Sequence, residues 1–212
     1  MTLLVTEIFH SIQGESTHAG RPCTFVRLSG CNLRCAWCDT PYSWEGGRNM
    51  SIGAIMEAVE VYGCNLVELT GGEPLLQPEA VPLAHALALE GYELLVETNG
   101  TLPPDMLPQV ATAIVDVKCP SSGMHERMHP ALLQCLRPQD ELKFVLAGRE
   151  DYDYAARTVH ALPRSGRAIH FSPITASLAP AELAAWILAD RLPVRLSLQL
   201  HKIIWDPAMR GV

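Results

Sequence analysis

The chain has 212 residues, 48% hydrophobic and 18% charged, which is typical of a folded globular protein and excludes a disordered or fibrous one. Its 16 basic and 23 acidic side chains give a net charge of -7, which argues against a partner held through nucleic-acid phosphates. The first residues lack the features of a signal peptide, and no apolar run approaches the roughly 18 residues of a membrane helix. We therefore expect a cytoplasmic protein that contacts neither nucleic acid nor membrane.

Extended apolar runs alternate with helical apolar patterns along the whole chain. The sequence predicts strands over residues 24–28, 66–69, 93–96, 114–117, 142–146, 168–171 and 194–200. It predicts helices over residues 52–62 (with Ser51 as the N-cap), 79–90, 151–162 and 181–190. Such alternation indicates an α/β fold built from βα units around a parallel sheet. Because no Ser/Gly linker or block of charge interrupts the pattern, we expect a single domain over residues 1–212.

Polar motifs follow the predicted strands at their carboxyl ends. They are Thr70-Gly71-Gly72-Glu73-Pro74, Glu97-Thr98-Asn99-Gly100, Lys118-Cys119-Pro120-Ser121-Ser122, Ser172-Pro173 and Gln199-Leu200-His201-Lys202. In barrel-type α/β proteins this end of the sheet carries the active site, so we expect these side chains to meet at one mouth. No Gly-x-Gly-x-x-Gly motif follows a predicted strand, which argues against a dinucleotide site.

The seven cysteines include three on one short segment, Cys31, Cys35 and Cys38. An odd total without an export signal argues against a disulfide framework. Thiolates are soft ligands that select iron–sulfur clusters, zinc or copper(I). Three of them leave one corner of a [4Fe-4S] cubane open, and an open position is what a catalytic metal site needs. A structural zinc site completed by Cys64 or His10 is the alternative.

Two segments resemble the radical S-adenosylmethionine (SAM) superfamily: residues 31–40, Cys-Asn-Leu-Arg-Cys-Ala-Trp-Cys-Asp-Thr, and residues 71–74, Gly-Gly-Glu-Pro. Other segments are similar to the 7-carboxy-7-deazaguanine synthase family within it: residues 7–16, 21–22, 25–30 and 197–202. The resemblance covers almost the whole chain. It implies a partial (βα)6-type radical SAM barrel with a parallel sheet.

The resemblance implies three cofactors. Cys31, Cys35 and Cys38 would hold a [4Fe-4S] cluster, and Thr40 would bind Mg2+ together with a substrate carboxylate, since one hydroxyl alone cannot fill its octahedral oxygen shell. The residues implied to line SAM are Trp37, Cys38, Asp39, Gly72, Asp116, Val117, Lys118, Ser172, Pro173, Ile174 and Thr175. In the Gly-Gly-Glu-Pro segment, the glycines permit close approach of the backbone to SAM. Glu73 of this segment has a carboxylate suited to the ammonium group of SAM. Glu97 and Asn99 are candidates for the ribose hydroxyls.

The implied reaction converts 6-carboxy-5,6,7,8-tetrahydropterin to 7-carboxy-7-deazaguanine with loss of ammonia, on the route to queuosine. The implied substrate residues are Ile12, Gln13, Gly14, Arg27 and Thr70; Arg27 can grip a carboxylate through its planar fork. Relatives also imply an electron donor such as a flavodoxin, and a homodimer. Gln199 and His201 are expected to face the same mouth.

The chain departs from the family pattern at two places. Ser16 replaces a frequent glycine, and residues 205–212 differ from relatives, so we infer no substrate contact from the chain end. Two other functions share the cysteine spacing or part of it: an activating enzyme that makes a glycyl radical on a partner protein, and a non-enzymatic metal-binding module. The Gln-Gly-Glu segment and Arg27 favour a small carboxylated substrate over the first, and the Gly-Gly-Glu-Pro motif disfavours the second.

Overall fold

The computed structural model describes residues 1–163, 166–206 and 209–212. Within these ranges one sheet contains nine strands. They are β1 (Thr2–Ile12), β2 (Pro22–Leu28), β3 (Arg48–Ser51), β4 (Leu66–Gly71), β5 (Glu93–Thr98), β6 (Thr112–Asp116), β7 (Glu141–Leu146), β8 (Ile169–Pro173) and β9 (Arg195–Leu196). Their order across the sheet is β3-β1-β2-β4-β5-β6-β7-β8-β9, which leaves the sheet open.

The described residues form six α-helices: α1 (Ile52–Glu60), α2 (Ala80–Leu89), α3 (Leu132–Cys135), α4 (Arg149–Ala161), α5 (Pro180–Asp190) and α6 (His201–Ile204). The four predicted helices are confirmed, with ends shifted by one or two residues. Ser51 is the N-cap of α1, and its hydroxyl accepts a hydrogen bond from the Ala54 amide at 3.1 Å. None of the described helices is long and apolar enough to span a membrane.

The sheet is parallel from β2 to β9, and β1 pairs antiparallel with both β2 and β3. The predicted α/β class with an open barrel of parallel strands is therefore right. The two antiparallel strands β1 and β3 were not predicted. The connection from β5 to β6 contains no α-helix in the described structure, so the βα repeat is incomplete there.

The last predicted strand is wrong beyond Leu196. The Ser197 amide still donates to the Phe171 carbonyl of β8 at 2.9 Å, but the Leu200 amide donates to the Gly14 carbonyl at 3.0 Å. The chain thus leaves the sheet and packs on the loop that follows β1. Helix α6 begins directly after this contact.

The strands from β4 to β8 present two different faces, because alternate side chains point to opposite sides of a sheet. One face packs on the helices and forms the main core, with residues such as Val67, Val96, Val115, Phe144 and Phe171. The other face carries a smaller apolar layer formed by Phe9, Cys23, Phe25, Leu66, Leu95 and Ile114. Next along these strands, this inner face carries charged side chains, which face a cavity.

Candidate active site

A cavity of about 540 Å3 lies on the inner face, at the carboxyl ends of the parallel strands. It brings together most of the residues that the sequence singles out. Those lining it are Ile12, Gln13, Gly14, Arg27, Cys31, Cys35, Trp37, Cys38, Asp39, Thr40, Thr70, Gly72, Asp116, Lys118, Ile174 and Thr175. Val117 lies instead in the main core, and Ser172 and Pro173 are buried in β8 without lining the cavity.

Close backbone packing holds the cysteine segment against the end of β4. The Glu73 amide donates to the Gly30 carbonyl at 2.8 Å. A Cβ at Gly72 would lie 2.2 Å from the Gly30 oxygen and 2.8 Å from Cys31 Cβ, so only glycine fits there. Gly72 therefore permits close approach between the end of β4 and the cysteine segment, and the approach of this motif to SAM stays a prediction.

The donor set fits an iron–sulfur cluster. Cys31, Cys35 and Cys38 are free thiols that are partly exposed and line one cavity, and thiolates are the ligands of such clusters. Within the described residues no group of three or more His, Cys, Asp or Glu side chains is placed to hold a single metal ion. Cys64 and His10, the alternative zinc ligands, line a separate pocket of about 350 Å3.

Glu73 is turned away from the cavity. Its side chain is fully buried and accepts hydrogen bonds from the Asn99 amide at 2.6 Å, the Thr98 hydroxyl at 2.9 Å and the Leu75 amide at 3.0 Å. Burial raises the pKa of Glu73, and these donors oppose the shift. These hydrogen bonds hold the turn that follows β4, and a contact of Glu73 with an ammonium group stays a prediction.

Two residues of the cysteine segment make polar contacts with distant elements. The Trp37 indole donates to the Ser121 hydroxyl at 3.3 Å. Asp39 lies 2.6 Å from the Lys202 ammonium, and although burial opposes it, this charge lowers the pKa of Asp39. The Asp39 side chain is 49% exposed, so water screens the pair. The Thr40 hydroxyl faces the cavity 3.9 Å from Cys38 Sγ.

Arg27 is held rigidly at the wall of the cavity. Its Nε donates to Glu7 Oε1 at 2.7 Å, and its guanidinium lies 5.8 Å from the Phe9 ring centre and 5.9 Å from that of Tyr42. The side chain is 14% exposed, so the pair with Glu7 is not a surface salt bridge. Its Nη1 and Nη2 groups have no hydrogen-bond acceptor in the described part of the chain. They remain available to an anion.

A charged cluster lies deeper in the cavity, and it contains two residues, Lys143 and Glu15, to which the sequence assigned no role. The Lys143 ammonium contacts Glu97, lies 2.8 Å from Glu15 Oε2 and 3.9 Å from Asp116 Oδ2. Burial alone would lower the pKa of Lys143, but these carboxylates outweigh burial and raise it well above the usual lysine value. Asp116 also accepts from Lys118 Nζ at 2.7 Å. Two buried lysines therefore face three acidic side chains.

Gln13 is more constrained than the sequence suggests. Its side-chain amide donates to Glu68 and accepts from the Glu15 amide, and its backbone N–H donates to the Arg21 carbonyl at 2.8 Å. One Nε2 hydrogen remains for a ligand. Burial and the nearby Glu97 charge raise the pKa of Glu68 well above the usual glutamate value, which favours its protonated form.

A signal for the missed residues is present in the sequence. Strands of a parallel sheet are buried on both faces and read as apolar runs. Glu68 interrupts such a run in β4, and Lys143 interrupts another in β7. A charged residue inside a doubly buried strand requires a partner or a ligand, so these two positions mark the inner face.

The end of the chain also reaches the cavity, although no contact was inferred for it. Residues 209–212 line the wall, and the Arg210 guanidinium lies 4.1 Å from the Tyr42 ring centre. His201 packs on Gly14, where a Cβ would lie 2.3 Å from His201 Nδ1. Burial lowers the pKa of His201. Gln199 and His201 thus line the expected mouth.

An open, mostly parallel sheet with three thiols at the mouth of its inner face is the architecture of a radical SAM enzyme. The sequence profile of the Radical SAM superfamily matches residues 25–125. The crystal structure of QueE from Escherichia coli superposes with a TM-score of 0.79 at 25% identity, covering 94% of each chain.

Sequence relatives identify the family within the radical SAM superfamily. The 7-carboxy-7-deazaguanine synthase of Koribacter versatilis is 46% identical, covering 98% of this chain and 99% of its own. The 7-carboxy-7-deazaguanine synthase of Chlorobaculum tepidum is also 46% identical, and the match covers 99% of this chain and 97% of the relative. The chain belongs to the 7-carboxy-7-deazaguanine synthase family. Membership of the radical SAM superfamily implies a [4Fe-4S] cluster and SAM.

Proposed function

We propose that this chain is the radical SAM lyase that converts 6-carboxy-5,6,7,8-tetrahydropterin to 7-carboxy-7-deazaguanine and ammonia. The observation that carries the proposal is that one cavity contains both the three cluster thiols and an arginine with a free guanidinium edge. When bound, the cluster and SAM supply a 5′-deoxyadenosyl radical, which is chemistry of the cofactors. The protein residues hold the substrate and exclude water.

Arg27 is the proposed site for the substrate carboxylate. With Nε occupied by Glu7, the Nη1 and Nη2 edge can donate two parallel hydrogen bonds to a carboxylate. The rings of Phe9 and Tyr42 restrict the guanidinium, so little conformational entropy is lost on binding.

Gln13, Glu68 and Thr70 are proposed to recognise the pterin ring, with Ile12 and Gly14 lining the cavity beside them. A pterin presents donors and acceptors on one edge. The free Nε2 hydrogen of Gln13 and a protonated Glu68 can donate, and the Thr70 hydroxyl can donate or accept. The family resemblance implied each of these residues except Glu68.

For SAM, the proposal rests most firmly on Asp116. Its Oδ1 is buried with no hydrogen-bond partner among the described residues, while Oδ2 is bound to Lys118. A buried acceptor without a donor is costly, so a ligand donor at this position would relieve the cost. Trp37, Asp39, Gly72, Ile174 and Thr175 complete the proposed wall of the SAM site. Val117, Ser172 and Pro173 would contribute only through the backbone or by packing.

Thr40 is proposed to bind Mg2+ together with the substrate carboxylate and water. Removing Mg2+, or the change Thr40→Ala, should slow turnover more than it weakens SAM binding. Unchanged turnover in metal-stripped buffer would exclude this role.

We also propose a single domain over residues 1–212, a cytoplasmic location, a homodimer and a flavodoxin-type electron donor. One continuous sheet supports the single domain. The exposed apolar side chains of Leu196, Ile203 and Ile204 lie near each other in sequence and suit a subunit contact. An external donor is needed because the described chain offers no second cysteine motif for another cluster.

The proposal is tested first at the cluster. Replacing any one of the three cysteines with alanine (Cys31→Ala, Cys35→Ala or Cys38→Ala) should abolish the brown colour of the iron–sulfur cluster. It should also abolish SAM cleavage by the anaerobically purified protein. Cys135→Ala is the matched control, because Cys135 lies in α3 and does not line the cavity. Full iron content in any of the three variants would overturn the assignment.

A glycyl-radical activating enzyme remains the second candidate because it shares the cysteine spacing. Product analysis separates the two functions, since only the first yields 7-carboxy-7-deazaguanine from the pterin. Intact SAM cleavage without that product would favour the activating enzyme.

A further inference from the structure

The loop between β1 and β2 lies along the inner face of the sheet. Two backbone hydrogen bonds of 2.8 Å close the base of this loop, from the Gln13 amide to the Arg21 carbonyl and from the Gly20 amide to the Gln13 carbonyl. The Gln13 side chain contacts Glu68 on β4, and the Glu15 side chain contacts Lys143 on β7. The loop thus reaches from β4 to β7, and its first three residues line the cavity.

A second attachment follows two residues after Glu15. The Thr17 amide donates to Glu141 Oε2 at 3.1 Å, and the Thr17 hydroxyl donates to Glu141 Oε1. Glu141 Oε2 also lies 2.7 Å from His170 Nε2. Glu141 is 3% exposed and His170 is 1% exposed, and neither lines the cavity. This buried pair therefore acts on the loop and not on a ligand.

The residue between the two attachments is strained. Ser16 has a φ of 63°, in the left-handed region that residues other than glycine rarely adopt. Such a conformation persists only where the surroundings determine it. The contacts of Glu15 with Lys143 and of Thr17 with Glu141 flank Ser16 and supply that constraint.

We propose that Glu141 and His170 are positioning residues that act through Thr17 to hold Gln13, Gly14 and Glu15 in the wall of the cavity, and so control binding of the pterin. This inference rests on the proposed function. The cysteine segment is attached elsewhere, to the end of β4 through Gly72. Loss of the attachment at Thr17 should therefore weaken pterin binding and leave the cluster and SAM cleavage intact.

The test compares five variants of the reconstituted holoenzyme with one control variant. Thr17→Val removes the hydroxyl, and Glu141→Ala and His170→Leu break the buried pair. Thr17→Ser and Glu141→Gln are the conservative variants, because a glutamine can accept from the Thr17 amide and donate to its hydroxyl oxygen. Thr158→Val is the matched control: its hydroxyl bonds within α4, at 3.0 Å from the Tyr154 carbonyl.

Five quantities are measured for each variant: the dissociation constant of fluorescent 6-carboxypterin, KM and kcat for the tetrahydropterin, iron content, and SAM cleavage without pterin. We expect Thr17→Val to raise the dissociation constant and KM about tenfold, as for one lost charge-assisted hydrogen bond. Thr17→Ser and Glu141→Gln should restore both toward the wild-type values. Iron content and SAM cleavage should not change.

Wild-type KM and dissociation constant in Thr17→Val would overturn the inference, whether or not the variants of the buried pair fold. Equal loss of iron and pterin binding would also overturn it, because it would indicate general destabilisation. If the wild-type protein makes no 7-carboxy-7-deazaguanine, the proposed function fails. The binding of 6-carboxypterin then still tests the attachment separately.

Discussion

Lys143 on β7 lies 2.8 Å from Glu15 in the loop after β1, although 128 residues separate them in sequence. The pair is buried, with side-chain exposures of 6% and 12%. It attaches the loop to the sheet and places a cation among carboxylates at the bottom of the cavity. The same contact therefore serves the fold and the electrostatics of the site.

Lys143→Met should destabilise the protein by about 3–5 kcal/mol, because it leaves the buried Glu15 and the half-buried Glu97 without their cation. Urea denaturation measures the loss. Asp153→Ala is the control: it removes an exposed pair with Arg149 and should cost about 0.5 kcal/mol or less. Equal stabilities for the two variants would contradict the role of Lys143.

Gly72→Ala should prevent stable cluster assembly, because its Cβ would collide with the Gly30 carbonyl behind Cys31. Iron content and the absorbance of the reconstituted protein measure the effect. Gly53→Ala is the matched control, since Gly53 lies in α1 and a Cβ there would meet only Ser51 Oγ, at an ordinary contact distance of 4.0 Å. That change should stabilise the protein by about 0.5–1 kcal/mol. A full complement of iron in Gly72→Ala would show that the loop tolerates a shift.

Local signals in the sequence predict much of this structure. Alternating apolar runs and the Ser51 cap predict α1 and β4, and three closely spaced cysteines predict a cluster site. The antiparallel strand β1 was missed because its residues were read as a motif and because β1–β2 pairing depends on long-range contacts. The contacts of Lys143 with Glu15 and Glu97 were missed for the same reason, because these residues meet only when distant strands pair. Glu97 itself was expected at the site, as a candidate for the ribose hydroxyls.

Arg27→Ala should weaken substrate binding about tenfold to a hundredfold, the effect of losing a charge-assisted contact of about 1.5–3 kcal/mol. Arg27→Lys keeps the charge but loses the planar fork, so it should also be impaired. KM for the pterin measures both. The cluster and SAM cleavage without substrate should persist in each variant. A wild-type KM in Arg27→Ala would exclude the carboxylate contact.

Acid should destabilise the protein partly through Glu141. Burial alone would raise its pKa, but the hydrogen bonds from His170 and Thr17 lower it below the usual 4.5. A carboxyl whose folded pKa is depressed adds stability above its unfolded pKa, and that stability is lost as pH falls through the folded value. Urea unfolding at about pH 6 and about pH 3.5 should therefore show a smaller loss for Glu141→Gln than for wild type. An equal loss of unfolding free energy in the two proteins would contradict this role of Glu141.

The most direct test of the central claim is an anaerobic assay of the reduced, reconstituted protein with SAM, Mg2+ and 6-carboxy-5,6,7,8-tetrahydropterin. Mass spectrometry follows the products, with Cys35→Ala as the inactive control. We predict that the wild-type protein forms 7-carboxy-7-deazaguanine. An intact cluster that cleaves SAM without forming this product would contradict the account.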